Sequence, residues 1–167
     1  MGLAFSVASV MMRRIGRGKN HGTLLNSAQT LSRGDLMAIQ STARDIMTPT
    51  VISAKVDMVL ADVAKLLLRW HISGVPVVDD EGKLKGIITE HDVVKFMVSG
   101  RTESAKAGEI MTKDVESYGP DTPLADIINH FAARRLRRIP VVEDGKVIGI
   151  ISRRDIIREM DRIDEQL

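Results

Sequence analysis

Gly149-Ile150-Ile151-Ser152-Arg153-Arg154-Asp155 decides how this sequence is read, because the chain uses the same stretch once before, as Gly86-Ile87-Ile88-Thr89-Glu90-His91-Asp92. Each copy runs from glycine through two β-branched residues to a hydroxyl, with a carboxylate three residues later. The apolar pair reads as the end of a buried strand. The hydroxyl with Asp three places on reads as a helix start, a capping box with Asp at its far corner. A strand that stops where a helix begins leaves backbone N–H groups and a positive dipole end facing outwards, which suits a phosphate. Taken singly, such a match is explained by helix chemistry alone, since a hydroxyl cap is worth about 1 kcal/mol. Its recurrence in a matching setting is what gives it weight.

The setting is an internal repeat. Asp45-Ile46-Met47-Thr48 returns 64 residues later as Glu109-Ile110-Met111-Thr112, and Leu60-Ala61-Asp62-Val63 returns as Leu124-Ala125-Asp126-Ile127 at the same offset. Val75-Pro76-Val77-Val78 returns as Ile139-Pro140-Val141-Val142, again at 64, and Gly86 returns as Gly149 at 63. The turn near Asp80-Glu81-Gly82 therefore carries one extra residue. Units that cannot bury their apolar faces alone are expected to stack.

Within each copy, Leu60, Val63, Ala64, Leu67, Leu68 and His71, or Leu124, Ile127, Ile128, Phe131 and Ala132, fall at helical spacing. Two short apolar runs joined by Glu81-Gly82-Lys83 or Asp144-Gly145-Lys146 form a hairpin. A closing helix carries Val93, Val94 and Met97, or Ile156, Ile157 and Met160. A short strand near Val51-Ile52, and its partner near Val115, precedes each first helix. The expected fold is α/β (α+β), two β-α-β-β-α units packed through their sheets as one pseudo-symmetric pair. The expected boundaries are an N-terminal extension over 1–42 and units over 43–101 and 107–163.

Composition narrows the classes. The 167 residues are 44% hydrophobic but only 3% aromatic, so the core is aliphatic. Cysteine is absent, which excludes disulfides and thiolate chemistry and agrees with a reducing, cytoplasmic location. A formal charge of +2 gives no general case for nucleic acid or membrane partners. No apolar run reaches the roughly 18 residues of a membrane span. Residues 1–41 differ from the rest: no acid precedes Asp35, while Arg13, Arg14, Arg17, Lys19 and Arg33 are basic. That segment reads as a disordered extension. Its opening Met1-Gly2-Leu3-Ala4-Phe5-Ser6 fits an acylation pattern, its charge fits a transit peptide, and Met37 is an alternative start.

The Asp-Ile-Met-Thr opening, the Gly-Val-Pro-Val-Val strand and the Gly-Ile-Ile-Thr-x-x-Asp ending resemble the CBS domain, named for cystathionine β-synthase, here as a tandem, stand-alone pair over residues 43–163. The resemblance implies clefts between the units that bind AMP, ADP, ATP or S-adenosylmethionine, with no further cofactor and no metal. It implies that Asp92 and Asp155 hold ribose and that Thr89 and Ser152, helped by basic residues, contact phosphate. Val51, Val115, Pro76, Val77, Pro140 and Val141 would line the base pockets, beside Thr48, Thr112 and Ile139. A carboxylate's two acceptor oxygens suit a vicinal diol, and guanidinium forks suit phosphate. Arg153 and Arg154 lie inside the second motif, with Arg137 and Arg138 just before Ile139, whereas the first motif holds Glu90 and His91. The expected better site is therefore the cleft around Ser152 and Asp155. Otherwise these arginines form a solvated face paired with Glu143, Asp144 or Glu159. His71 reads as core or helix-end packing, and Trp70 as packing.

The resulting expectation is a regulatory binding module, not an enzyme, that senses an adenine nucleotide and signals to an unidentified protein. A homodimer is expected through Val93, Phe96, Met97, Ile156, Ile157 and Met160, since exposed apolar patches mark interfaces. Competing readings are a dimerisation module without a ligand and nucleic-acid binding through Arg134, Arg135, Arg137, Arg138, Arg153, Arg154 and Arg158. The latter lacks interleaved aromatics. No P-loop, metal-ligand cluster or nucleophile–base pair is present in the sequence to support catalysis.

Overall fold

The computed structural model describes residues 40–100, 104–134 and 136–164. The expectations for the N-terminal extension, namely tail, acylation signal, transit peptide or start at Met37, concern residues that lie outside the described ones. In chain order the elements are α1 (Ala43–Ile46), β1 (Ala54–Lys55), α2 (Leu60–Trp70), β2 (Gly74–Val78), β3 (Leu84–Thr89) and α3 (Glu90–Val98). The second copy contributes α4 (Ala107–Ile110), α5 (Leu124–Ala133), β4 (Arg138–Glu143), β5 (Lys146–Ser152) and α6 (Arg153–Asp164).

The hairpins arise where the repeat places them. β2 pairs antiparallel with β3, matching Val75 to Ile88, and β4 pairs antiparallel with β5, matching Ile139 to Ile151. Asp144 and Gly145 supply the left-handed backbone of the second turn, and Gly82 that of the first. The expected strand near Val51 forms later, at Ala54–Lys55, parallel to β2. Its counterpart near Val115 is reduced to a single bridge between Tyr118 and Val141. The strand forms where the chain reaches the edge of the hairpin, three residues beyond the expected apolar pair.

Two aliphatic cores result. One joins Leu60, Val63 and Leu67 of α2 to Val75, Val77, Ile88 and Val93; the other joins Leu124, Ile127 and Phe131 of α5 to Ile139, Val141 and Ile151. Each fully buried aliphatic side chain contributes about 1.5–3 kcal/mol. The opening segments are exchanged. Ala43 and Ile46 of α1 pack in the second core, and Ala107 of α4 packs in the first. Backbone pairs seal the exchange, Thr48 with Ile150 (2.9 and 3.1 Å) and Ile87 with Thr112 (2.9 and 3.0 Å). The units of packing therefore differ from the units of sequence, and neither copy completes its core alone.

This exchange explains both motif glycines. A Cβ on Gly149 would meet the Met47 sulfur at 2.2 Å, and one on Gly86 would meet the Met111 sulfur at 2.6 Å. The Met of each opening segment lies across the strand of the other copy, and only glycine leaves room for it.

Candidate nucleotide cleft between the two units

Each motif builds the predicted cap. In the first, Asp92 Oδ2 accepts from the Thr89 backbone N–H (2.8 Å) and from the Thr89 hydroxyl (2.6 Å). In the second, Asp155 Oδ2 accepts from the Ser152 N–H (2.8 Å) and hydroxyl (2.5 Å). Hydroxyl and carboxylate are thus committed to one another. A phosphate at Thr89 or Ser152 has to compete with the cap for the hydroxyl proton.

The two aspartates differ in what remains. Asp155 is only 7% exposed, and its second oxygen accepts from Arg158 at 3.2 Å. Asp92 is half-buried, and its Oδ1 has no hydrogen-bond partner among the described residues. An acceptor open to a ribose hydroxyl is therefore present in the first copy, and the second copy has used it internally.

A cavity of about 650 Å³ lies between the units, and the first motif forms its floor. Ser73, Ile87, Thr89, Glu90 and His91 come from the first copy. Thr112, Val115, Arg137, Arg138 and Ile139 close it from the second, with Asp114, Glu116, Arg134 and Leu136. This corrects the expected grouping. Arg137 and Arg138 line the cavity of Thr89, and Ser152 and both motif aspartates, Asp92 and Asp155, do not line it. The cause is the path of one side chain. Arg138 is laddered to Ser152 through its backbone, but its guanidinium crosses to the first copy. There it donates to the Gly74 carbonyl (2.6 Å) and the Ser73 hydroxyl (2.7 Å). Burial pulls its pKa below the usual arginine value, an effect the nearby Glu90 carboxylate opposes.

Other expected residues are dispersed. Pro76, Val77, Pro140 and Val141 are completely buried in the hairpins and leave no face for a base, which corrects their assignment to the pocket walls. Val115 reaches the cavity, while Thr48 is bridged to Ile150 of β5, and neither Thr48 nor Val51 lines the cavity. Arg153 donates to the Leu136 carbonyl at 2.7 Å, and Arg154 is exposed. The acids expected to pair with these arginines have other partners: Glu143 binds Arg44, and Glu159 binds Arg162 and Ser41. His71 caps the end of α2 in left-handed backbone, as helix-end packing requires. Trp70 is half-exposed beside Arg69, not in the core.

The repeat alignment did not identify a polar chain leading to the cavity rim. The Tyr118 hydroxyl lies 2.9 Å from His130 Nδ1, and His130 Nε2 lies 2.9 Å from Glu116. Glu116 also pairs with Arg134. Burial pushes the Tyr118 phenol up to about 12. The available signal was Ser73, Glu116 and Arg134 aligning with residues of different character in the other copy. Among the described residues, no group of three or more His, Cys, Asp or Glu could hold a metal ion, and no helix is long and apolar enough to cross a membrane.

Comparison with known proteins agrees with this architecture. The CBS domain pair of protein MJ0100, solved with 5′-methylthioadenosine and S-adenosyl-L-methionine, is 29% identical, with a TM-score of 0.66, over 75% of this chain and 99% of that one. CBSX2 solved with AMP is also 29% identical, with a TM-score of 0.66, over 73% of this chain and 97% of that one. An uncharacterised Methanocaldococcus jannaschii protein, MJ1225, is 32% identical over 126 residues, which is 75% of this chain and 45% of that protein. The chain spans 45% or less of the length of this and several other curated relatives. The family model for the CBS domain matches twice, at residues 43–99 and 107–162, so the chain belongs to the CBS domain family and carries two CBS domains in tandem.

Proposed function

We propose that this CBS pair is a regulatory module that binds an adenosine-containing ligand (AMP, ADP or ATP) and transmits occupancy to a partner protein. The observation that carries the reading is the cavity in which Thr89 at the start of α3 faces Arg137 and Arg138 from the other repeat. A volume of about 650 Å³ lies within the usual range for a small-molecule site. Val115, Ile87 and Ile139 offer apolar surface to a base, and Arg137 and Arg138 charge to phosphate. Asp92, next in the chain to the lining residue His91, leaves Oδ1 as an acceptor for ribose. The CBS pairs solved with AMP and with S-adenosyl-L-methionine support this ligand class.

A second ligand reading has its own observation. Glu90, Asp114 and Glu116 put three carboxylates around the same cavity. They suit the cationic sulfonium and ammonium groups of S-adenosylmethionine and oppose a triphosphate. Calorimetric titration with AMP, ATP and S-adenosylmethionine at low and high salt separates the two. AMP binding that weakens with salt supports the phosphate site. Saturation by S-adenosylmethionine alone moves the assignment to the acidic side, and no heat with any of them rejects the reading.

The nucleic-acid alternative loses support because Arg134, Arg153 and Arg158 are bound to Glu116, Leu136 and Asp155. The proposed assembly is a homodimer through the helices, with a revised surface. Val93 belongs to the core, and Phe96, Ile156 and Met160 pack partly against the two cores. Leu68, Trp70, Val94, Met97 and Val98 are the large exposed apolar residues on α2 and α3, joined by Ile157 on α6. Sedimentation equilibrium of native protein and Met97→Glu tests this: a native dimer that the variant dissociates supports the surface, and a native monomer rejects it.

A further inference from the structure

We propose that Ser73 and the Gly74 carbonyl compete with a ligand phosphate for Arg138, so that binding exchanges a bond between the two CBS units for a bond to the ligand. This rests on the adenosine-ligand reading above and adds its regulation. Among the described residues, Arg138 is the one arginine of the cavity whose side chain spans the seam, with its contacts made to Ser73, just before β2, and to Gly74, its first residue. The same junction is tied to the start of α3, because Glu90 N–H donates to the Ser73 carbonyl at 3.1 Å. A displaced Arg138 would therefore loosen the second unit from the point where the first unit's strand β2 and helix α3 meet.

The repeat makes the latch one-sided. Ser73 and Gly74 occupy the positions that Arg137 and Arg138 occupy in the second copy, 64 residues on. Gly74 has no side chain with which to return the contact, so the pair carries a single latch of this kind. The present partners are a neutral carbonyl and a neutral hydroxyl. A phosphate brings charge to a half-buried cation, and hydrogen bonds between ionised partners are roughly twice as strong as neutral ones. The Arg137 carbonyl accepts from the Arg153 N–H at 3.4 Å, but its guanidinium has no hydrogen bond or ion pair among the described residues, so it can receive the phosphate first.

The test is calorimetric titration of the native chain, Ser73→Ala and Arg138→Ala with AMP, adenosine and inorganic phosphate, after circular dichroism has shown each variant folded. Removing the competing hydroxyl should tighten AMP about threefold to tenfold and leave adenosine unchanged. Arg138→Ala should weaken AMP at least as strongly, again sparing adenosine. Inorganic phosphate binding that tightens in Ser73→Ala while AMP does not would show a free-anion site and overturn the proposal. Equal or weaker AMP binding by Ser73→Ala, or the same gain with adenosine, also overturns it while leaving the adenosine reading intact. Absence of both AMP and adenosine binding in the native chain rejects that reading and the latch with it.

Discussion

The first CBS domain ends in Thr89-Glu90-His91-Asp92 and the second in Ser152-Arg153-Arg154-Asp155, and the two build the same cap with different remainders. In the first, one carboxylate oxygen has no hydrogen-bond partner among the described residues, and its neighbour His91 lines the cavity. In the second, Arg158 takes that oxygen and burial closes over the group. The divergence extends outwards. Ile52, Ala54, Leu66 and Trp70 of the first copy correspond to Glu116, Tyr118, His130 and Arg134 of the second, and these four touch in sequence. At these four aligned positions the first copy is apolar and the second carries polar groups, and the polar series ends at the cavity wall. What is common to both copies (hairpin, cap, glycine under methionine) maintains the fold. What differs between them makes the pair chemically one-sided.

The largest test of that division addresses the shared part. Ile88→Ala and Ile151→Ala remove matched, fully buried side chains and should each cost about 2–5 kcal/mol in denaturant unfolding. Strongly unequal costs would show that one copy carries the stability of both. Next come the two aspartates. Asp155→Ala should lower stability by roughly 0.5–2 kcal/mol through its cap and leave AMP affinity nearly intact. Asp92→Ala should lose a comparable cap and also weaken AMP and adenosine alike. The reverse pattern in folded variants would return the nucleotide site to the second motif.

A smaller effect is expected at the second copy's polar chain. Tyr118→Phe removes the bond to His130 and should cost about 0.5–1.5 kcal/mol. It also has a pH signature. Burial raises the Tyr118 pKa to about 12, so the folded state resists ionisation that the unfolded chain accepts near the ordinary phenol value of 10.0. The stability tied to neutral Tyr118 is complete below that value and is lost as pH rises from there toward about 12. Tyr118→Phe should flatten that alkaline fall, and an unchanged slope would contradict the assignment. The smallest effect lies at the acid end. The hydrogen bond from Arg162, and then that from Ser41, hold the Glu159 carboxyl below its usual value against the opposing cost of burial. Its contribution is present above the unfolded value of 4.5 and disappears as pH falls through the folded one, so Glu159→Gln should reduce sensitivity to acid.

Much of this was legible in the chain because it depends on local pattern. The 64-residue offset located both hairpins, and hydroxyl-x-x-Asp located both caps, since a cap closes within one turn of helix. The buried apolar sets also follow from spacing along single elements. The site was only partly legible. Thr89, Thr112, Val115, Arg137, Arg138 and Ile139, all expected at the site, line the candidate cavity, but their grouping in one cavity was not expected. Pro76 and Val141 were expected as pocket walls from the family resemblance, yet both are fully buried in the hairpins and neither lines the cavity.

The sequence by itself determined the repeat, the aliphatic cores, the turns and the two helix caps, because each is decided by residues near one another along the chain or by a pattern that recurs. Tertiary structure alone decided that the opening segments change places and that Arg138 reaches Ser73. It likewise decided that one aspartate keeps an open oxygen while its twin does not. These depend on which surfaces meet when two similar units pack, and contacts between residues 64 positions apart leave no periodic trace in either.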